Sequence, residues 1–235
     1  MSPLSKTQLD KLGTRLKEGA WTAEDLRVLD AYRRSFAPAC DVVMAILRDE
    51  FGLAPTARPA KSTTSIVDKL VRESVRLTQI QDIAGCRVVV EDILRQDRLT
   101  EELQVRLKDA NVVDRRESPS HGYRALHVIA RIEGFCIEVQ LRTRLQHGWA
   151  ELSEKMADLV DHRIKYGLGD ERLQAGLMQW STLVATYERL ERKVQSPAMA
   201  KHTEVREELF AVKKTLSRDL SELIPYLVDR GGSNP

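Results

Sequence analysis

The stretch from Arg124 to Arg142 constrains the fold more than any other. Phe135, Ile137, Val139 and Leu141 alternate there with Cys136, Glu138, Gln140 and Arg142. A period of two belongs to a strand, with one face set on a core and the other presenting polar groups. Residues 124–130 form a second strand candidate, and Glu133-Gly134 between the two predicts an antiparallel hairpin. Cys86-Arg87-Val88-Val89-Val90, bounded by Gly85, adds a short β-branched strand, and Asn111-Val112-Val113 another. Helical periods flank this centre. Residues 25–48 predict a long helix that Pro38 splits near Phe36, and Ser65-Ile66-Val67-Asp68 is a capping-box pattern opening a helix that runs to about Arg76. Residues 97–108 carry Leu99, Leu103 and Leu107 four apart. Leu145, Trp149, Leu152, Met156 and Leu159 step by four and three along an amphipathic helix, and further helices are expected at about 171–194 and 201–217, before a frayed tail at 231–235. The expectation is one α/β domain, a small mixed β-sheet with flanking N- and C-terminal helices.

Charge narrows the partners only a little. Lys and Arg total 37 against 35 Asp and Glu, a formal charge of +2, which provides no field for coating nucleic acid. No apolar run approaches the roughly 18–20 residues that span a bilayer, and no apolar signal core follows the first residues, so a soluble cytoplasmic chain with no membrane partner is expected. Cys40, Cys86 and Cys136 are scattered, as reduced thiols would be, without metal-ligand spacing. There is no Gly-x-x-x-x-Gly-Lys-[Ser/Thr] loop, and Ser120-His121 lacks a nucleophile-elbow context. Any nucleotide must therefore be held by side-chain charge and a metal.

Residue types point to where that happens. Asp82 precedes one strand and Glu138 lies on the polar face of another, a carboxylate pair suited to a hard divalent ion such as Mg²⁺. The alternative is that Asp82 ends a helix and Glu138 faces solvent. Glu138, Gln140 and Arg142 are two apart on one strand and so share a face, where they could orient phosphate oxygens or simply form a polar outer surface. Arg87 sits within an apolar run, where an unpaired guanidinium is costly, so it should face a carboxylate or a ligand. Lys61, Lys69, Arg58, Arg72, Arg115, Arg116 and Arg124 add positive charge around the same segment. Tyr123 follows Gly122 and either stacks on a base or packs at the core rim; His127 either bonds between strands or meets phosphate.

Taken in order, these motifs carry a resemblance. Asp82-Ile83-Ala84-Gly85-Cys86-Arg87, Gly122-Tyr123-Arg124-Ala125-Leu126-His127 and Glu138-Val139-Gln140-Leu141-Arg142-Thr143 resemble the RelA/SpoT synthetase family, and Lys61, Ser65-Ile66 and Lys69-Leu70 resemble its upstream basic segment. The chain is similar to a single-domain small alarmone synthetase, with an N-terminal helical arm at 1–57, a synthetase core at 58–166 and a C-terminal helical extension at 167–235. The resemblance implies a nucleotidyltransferase-like fold and transfer of pyrophosphate from ATP to the 3′-hydroxyl of GDP or GTP. It implies Asp82 and Glu138 as Mg²⁺ ligands, with Glu138 also assisting deprotonation of the attacking hydroxyl. Tyr123 would stack on the acceptor guanine. Lys61, Lys69 and Arg87 would handle donor phosphates or the adenine side, and Ser65 would sit near the donor phosphates. Gln140, Arg142 and His127 would orient the acceptor or the transferring group.

The stretch Asp114 to His121 departs from the family's Asp-Tyr-Ile and Pro-Lys pattern, keeping charge through Arg115 and Arg116. That departure leaves room for a toxin-type relative that modifies the tRNA 3′ CCA end or adenosine nucleotides. Such an enzyme would use tRNA and an antitoxin as partners, with Arg115, Arg116 and the C-terminal Lys201, Arg206, Lys213, Lys214 and Arg218 as an RNA surface. The resemblance further implies a homo-oligomer, as homotetramers occur among small synthetases.

Overall fold

The computed structural model describes residues 5–58, 60–195, 204, 205, 207–216 and 218. Their main elements are, in order, α1 Lys6–Lys17, α2 Ala23–Arg34, α3 Ala37–Ala45, β1 Thr56–Arg58, α4 Thr63–Glu73, β2 Ala84–Val90, α5 Ile93–Arg106, β3 Asn111–Asp114, β4 Leu126–Ile132, β5 Phe135–Thr143, α6 Arg144–Leu159 and α7 Glu171–Gln195. The strands form one mixed sheet in the order β1-β2-β5-β4-β3, so the alternating strand of the sequence is its centre. Glu133 and Gly134 both take positive φ, the backbone that a two-residue hairpin needs, and they join β4 to β5 as expected.

The chain divides into two compact units that interleave along the sequence, one of residues 1–88, 102–113 and 127–140, the other of 89–101, 114–126 and 141–235. In the first, α1 opens at Ser5 and α2 at Thr22, each with a reciprocal capping box completed by Gln8 and Asp25. Asp25 also pairs with Arg15 at 2.5 Å, tying the two helices together. Leu12, Leu16, Leu29, Leu47, Ile66, Leu70 and Leu77 are fully buried; each contributes roughly 1.5–3 kcal/mol by leaving water. β1 runs antiparallel to β2 with Ala57 opposite Cys86 and Arg58 opposite Gly85. Gly85 has a particular task. A Cβ there would lie 2.2 Å from the carbonyl oxygen of Glu138, so only a residue without a side chain lets the chain at 138 come this close.

In the second unit, α6 begins at Thr143, whose hydroxyl accepts from the Gln146 amide while Gln146 caps the Thr143 amide in return. Trp149, Leu152 and Met156 of α6 pack with Leu173, Leu177, Trp180 and Val184 of α7, and Ile164 joins them. Trp149 Nε1 donates to the Leu177 carbonyl at 2.8 Å, which satisfies the indole inside this core. Gly167 and Gly169 both take positive φ, and Gly167 caps the short helix His162–Tyr166 that follows α6.

Several expectations shift at their edges. The split of the 25–48 helix occurs, with α2 ending at Arg34 and α3 restarting at Ala37 behind Pro38 near its N-terminus. The cap of α4 is Ser62, whose hydroxyl accepts from the Ser65 amide at 3.1 Å, so Ser65 lies inside the first turn and the 65–68 pattern is not the helix start. That helix ends at Glu73, where Ser74 turns left-handed, rather than at Arg76. The helix expected at 97–108 runs from Ile93 to Arg106, starting four residues earlier and ending two sooner. Residues 204, 205 and 207–216 are helical within the expected 201–217 segment, whereas Ser196-Pro197 and the 231–235 tail lie outside the described residues.

Candidate active site

The first unit gathers most of the residues that sequence singles out. Asp82 stands on the loop entering β2 and takes two ammonium groups, Lys61 Nζ on Oδ2 at 2.9 Å and Lys69 Nζ on Oδ1 at 3.0 Å. Lys61 is placed by its own amide, which donates to the Ile83 carbonyl at 2.8 Å, and Lys69 by the second turn of α4. Burial alone would push the Asp82 carboxyl up, but the two lysines outweigh it and hold the group down at about 2. Asp82 is therefore an anion that binds cations, not a helix end.

Glu138 is the centre of a second cluster. It is only 5% exposed. Arg58 Nη1 donates to Oε2 at 2.5 Å, Gln140 Nε2 donates to the same oxygen at 2.7 Å, and His127 Nδ1 lies 2.9 Å from Oε1. Burial raises this carboxyl's affinity for protons, yet His127 and Arg58 together leave it below the usual glutamate range. The solvent-facing alternative for Glu138 and Gln140 fails because β5 is a central strand and both residues are buried. His127 resolves toward bonding between strands, with Glu138 as its partner. Asp82 and Glu138 lie near enough that each carboxylate opposes ionisation of the other. Two hard anions, both ionised and mutually repelling, suit a Mg²⁺ ion completed by water and phosphate oxygens. No cluster of three His, Cys, Asp or Glu that could hold a metal exists among the described residues.

Arg87 is half-buried on β2 opposite Thr56, and Ser65 is half-buried one turn into α4. From sequence Arg58 is one of the basic residues around this segment, with no partner assigned; in the fold it meets Glu138. Its signal is its register: it opposes Gly85, the one position where the neighbouring strand yields room.

The second unit holds the aromatic group. Gly122 turns with positive φ, and a Cβ there would lie 2.8 Å from the Trp149 ring, so glycine brings the 122–123 backbone down onto α6. Tyr123 follows, its centroid 6.4 Å from the Trp149 ring. Arg142 Nη2 donates to the Tyr123 hydroxyl at 3.2 Å, and its guanidinium carbon lies 5.1 Å from the ring centroid. Tyr123 is half-buried, so it packs at the core rim and still offers part of its ring. Arg116 is corrected as an RNA contact. It donates to Asp114 at 2.7 Å and Asp97 at 2.6 Å and is mostly buried, so its charge is spent inside the unit; Arg115 beside it is exposed. Lys201 and Arg206 of that expected surface lie outside the described residues. No helix among the described residues is long and apolar enough to cross a membrane.

Residues 58–166 match the family model described as a region found in RelA / SpoT proteins. Over that region the chain is similar to RelA/SpoT proteins. A Bacillus subtilis protein named GTP pyrophosphokinase YwaC is 29% identical over 197 residues, covering 73% of this chain and 90% of its own. An uncharacterised protein of Mycobacterium tuberculosis is 37% identical over 123 residues, covering 51% of this chain and 45% of its own. The chain thus spans about half the length of the mycobacterial relatives it matches. In structure, small alarmone synthetase 1 from Bacillus subtilis bound to its product pppGpp superposes with a TM-score of 0.56 at 21% identity, over 74% of this chain and 97% of that one. The same synthetase in a second crystal structure gives 0.53 at 23% identity, over 81% and 100%. These structural likenesses show a shared fold, a mixed sheet with flanking helices, as expected from sequence.

Proposed function

We propose that this chain transfers pyrophosphate from ATP to the 3′-hydroxyl of a guanosine nucleotide, GDP or GTP. The observation that carries the reading is the pair of carboxylates, Asp82 met by Lys61 and Lys69, and Glu138 met by Arg58 and His127. The relative named GTP pyrophosphokinase and the synthetase crystallised with pppGpp support the same chemistry. In the transfer, the acceptor 3′-oxygen bonds to the β-phosphorus of ATP as the bond from that phosphorus to the α-side bridging oxygen breaks, and AMP leaves. The hydroxyl proton passes to Glu138. That carboxylate becomes a better base once Arg58 turns from it to the donor phosphates, because losing a neighbouring cation raises its proton affinity.

Mg²⁺ held by Asp82 and Glu138 would supply Lewis-acid neutralisation of charge growing on the phosphoryl oxygens. Lys61 and Lys69, which neutralise Asp82 here, are the cations that shift to donor phosphate oxygens, with Arg87 and Ser65 on the same side. Gln140 holds the Glu138 carboxylate in place by its 2.7 Å bond, and His127 fixes the other oxygen. Tyr123 presents its ring to the guanine, and Arg142 steadies it. Positioning of this kind supplies several kcal/mol of rate enhancement. The test is incubation of purified protein with labelled ATP and Mg²⁺, offering GDP, GTP, AMP, ADP and deacylated tRNA separately. Transfer to GDP or GTP is expected; transfer to tRNA or an adenosine nucleotide alone would overturn the acceptor assignment.

A further inference from the structure

The long helix α7 carries a residue that packing cannot account for. Leu173, Leu177, Trp180 and Val184 form its buried stripe, and the next position in that register is Glu188, also 5% exposed. A leucine would continue the stripe at no electrostatic cost, whereas burying a carboxylate demands partners that recover it. Glu188 lies outside the family-matched region, at the end of α7 beyond residue 166.

Its partners are specific. Thr143 Oγ1 donates to Glu188 Oε1 at 2.7 Å, and Gln146 Nε2 donates to the same oxygen at 2.9 Å. These two residues are the reciprocal cap of α6: the Gln146 amide donates to the Thr143 hydroxyl and the Thr143 amide to Gln146 Oε1, each at 3.2 Å. Gln96 of α5 closes the ring from another side, donating at 2.8 Å to both the Leu141 carbonyl and Gln146 Oε1. The end of β5 at residues 141–143 is therefore held by α5 and α7, and Arg142 is its middle residue. Facing the same carboxylate are Arg124, which follows Tyr123 in the chain, and Arg116. Arg124 donates to the Arg116 carbonyl, and Arg116 is locked to Asp114 and Asp97. Glu191 of its own helix is a further charged group near Glu188, and Asp92 in turn lies near Glu191.

We propose that Glu188 is a positioning residue for the acceptor side of the reaction, holding the β5–α6 junction and Arg124 so that Arg142 and Tyr123 keep their mutual geometry. The proposal rests on the reading of Tyr123 and Arg142 as acceptor groups. Burial keeps the Glu188 carboxyl above the usual glutamate range, and its hydroxyl and amide donors only partly offset this, so its charge titrates closer to neutrality than an ordinary glutamate's.

The experiment uses the full chain with ATP, Mg²⁺ and GDP, and compares wild type with E188Q and E188A. Losing both bonds in E188A is expected to raise KM for GDP about tenfold while KM for ATP stays within about twofold. E188Q keeps the two accepted bonds and loses the charge, so its KM for GDP should rise about threefold and be flat with pH. Wild-type KM for GDP should climb towards the E188Q value as pH falls through the Glu188 titration. Amide hydrogen exchange without nucleotide provides a readout independent of turnover: E188A should accelerate exchange at residues 121–126 and 141–146, and E188Q should largely restore it. Equal rises in both KM values, or unchanged exchange in those segments, would overturn the proposal. If E188A does not fold, E188Q decides: a KM for GDP identical to wild type at every pH would overturn it. Accelerated exchange in a protein that uses no guanosine nucleotide would defeat the acceptor reading while leaving the hold of Glu188 on the junction established.

Discussion

Glu138 and Glu188 are buried to the same degree, 5% exposed each, yet their carboxyls move in opposite directions. Burial is the largest influence on both and pushes both up. Around Glu138 it is overcome by His127 and Arg58 in direct contact; around Glu188 the direct donors are the neutral Thr143 and Gln146, the arginines act only from farther off, and burial prevails. A carboxylate surrounded by mobile cations can hand them to an incoming polyanion and accept a proton or a metal in exchange. One satisfied by hydroxyl and amide donors has nothing to give away, and it serves by holding still. The identity of the donors, not the depth of burial, separates a reacting carboxylate from a supporting one.

That contrast can be broken most severely at Glu138. Glu138→Gln should lower pyrophosphate transfer by about 10³-fold or more while leaving the circular-dichroism spectrum unchanged. Activity within tenfold of wild type would mean that the charge there is not used. Arg58→Ala should lower the rate by about 10²-fold. It should also move the acid limb of the pH–rate profile upwards, because removing a cation from Oε2 raises the Glu138 carboxyl. A limb that stays put would place its origin elsewhere. Tyr123→Ala should raise KM for the guanosine acceptor about tenfold with a smaller change for ATP, the size expected for one lost stacking contact.

The smallest effect concerns stability at Glu188. Its folded carboxyl lies above the unfolded one, so in the interval between them the folded state binds more protons, and stability falls as pH rises through that interval. The contribution is complete below the unfolded value and lost above the folded one. Glu188→Gln removes the titration. Its thermal midpoint relative to wild type should therefore increase as pH is raised from 4 to 8; a constant difference would show that Glu188 ionises normally.

How much of this was legible in the sequence depends on whether the signal is local. The alternation at 135–142 identified the central strand because a period of two has one structural meaning, and Asp82 and Glu138 stood out because carboxylates beside β-branched runs need a reason. The start of α4 was misread because Ser62 and Ser65 both offer a capping hydroxyl, and only the backbone shows which one accepts. Ser5-x-x-Gln8 was a readable capping box for α1, a helix that its weak apolar stripe hides. Arg58 could not be assigned from spacing, since its relation to Glu138 bridges eighty residues and runs through strand register. Glu188 left a trace in the sequence: a charged residue at the next step of an apolar stripe. What no pattern supplies is its partner, because Thr143 and Gln146 come to it through tertiary packing.

The bare Cα of Gly85 carries a consequence for how this chain can change. A methyl group at that position would sit 2.2 Å from the Glu138 carbonyl, against backbone rather than a side chain that could swing aside. Every other residue type adds at least that methyl, so no intermediate substitution offers a gentle slope away from glycine. Drift at residue 85 is closed unless residue 138 moves as well, so the two positions are tied through the backbone itself.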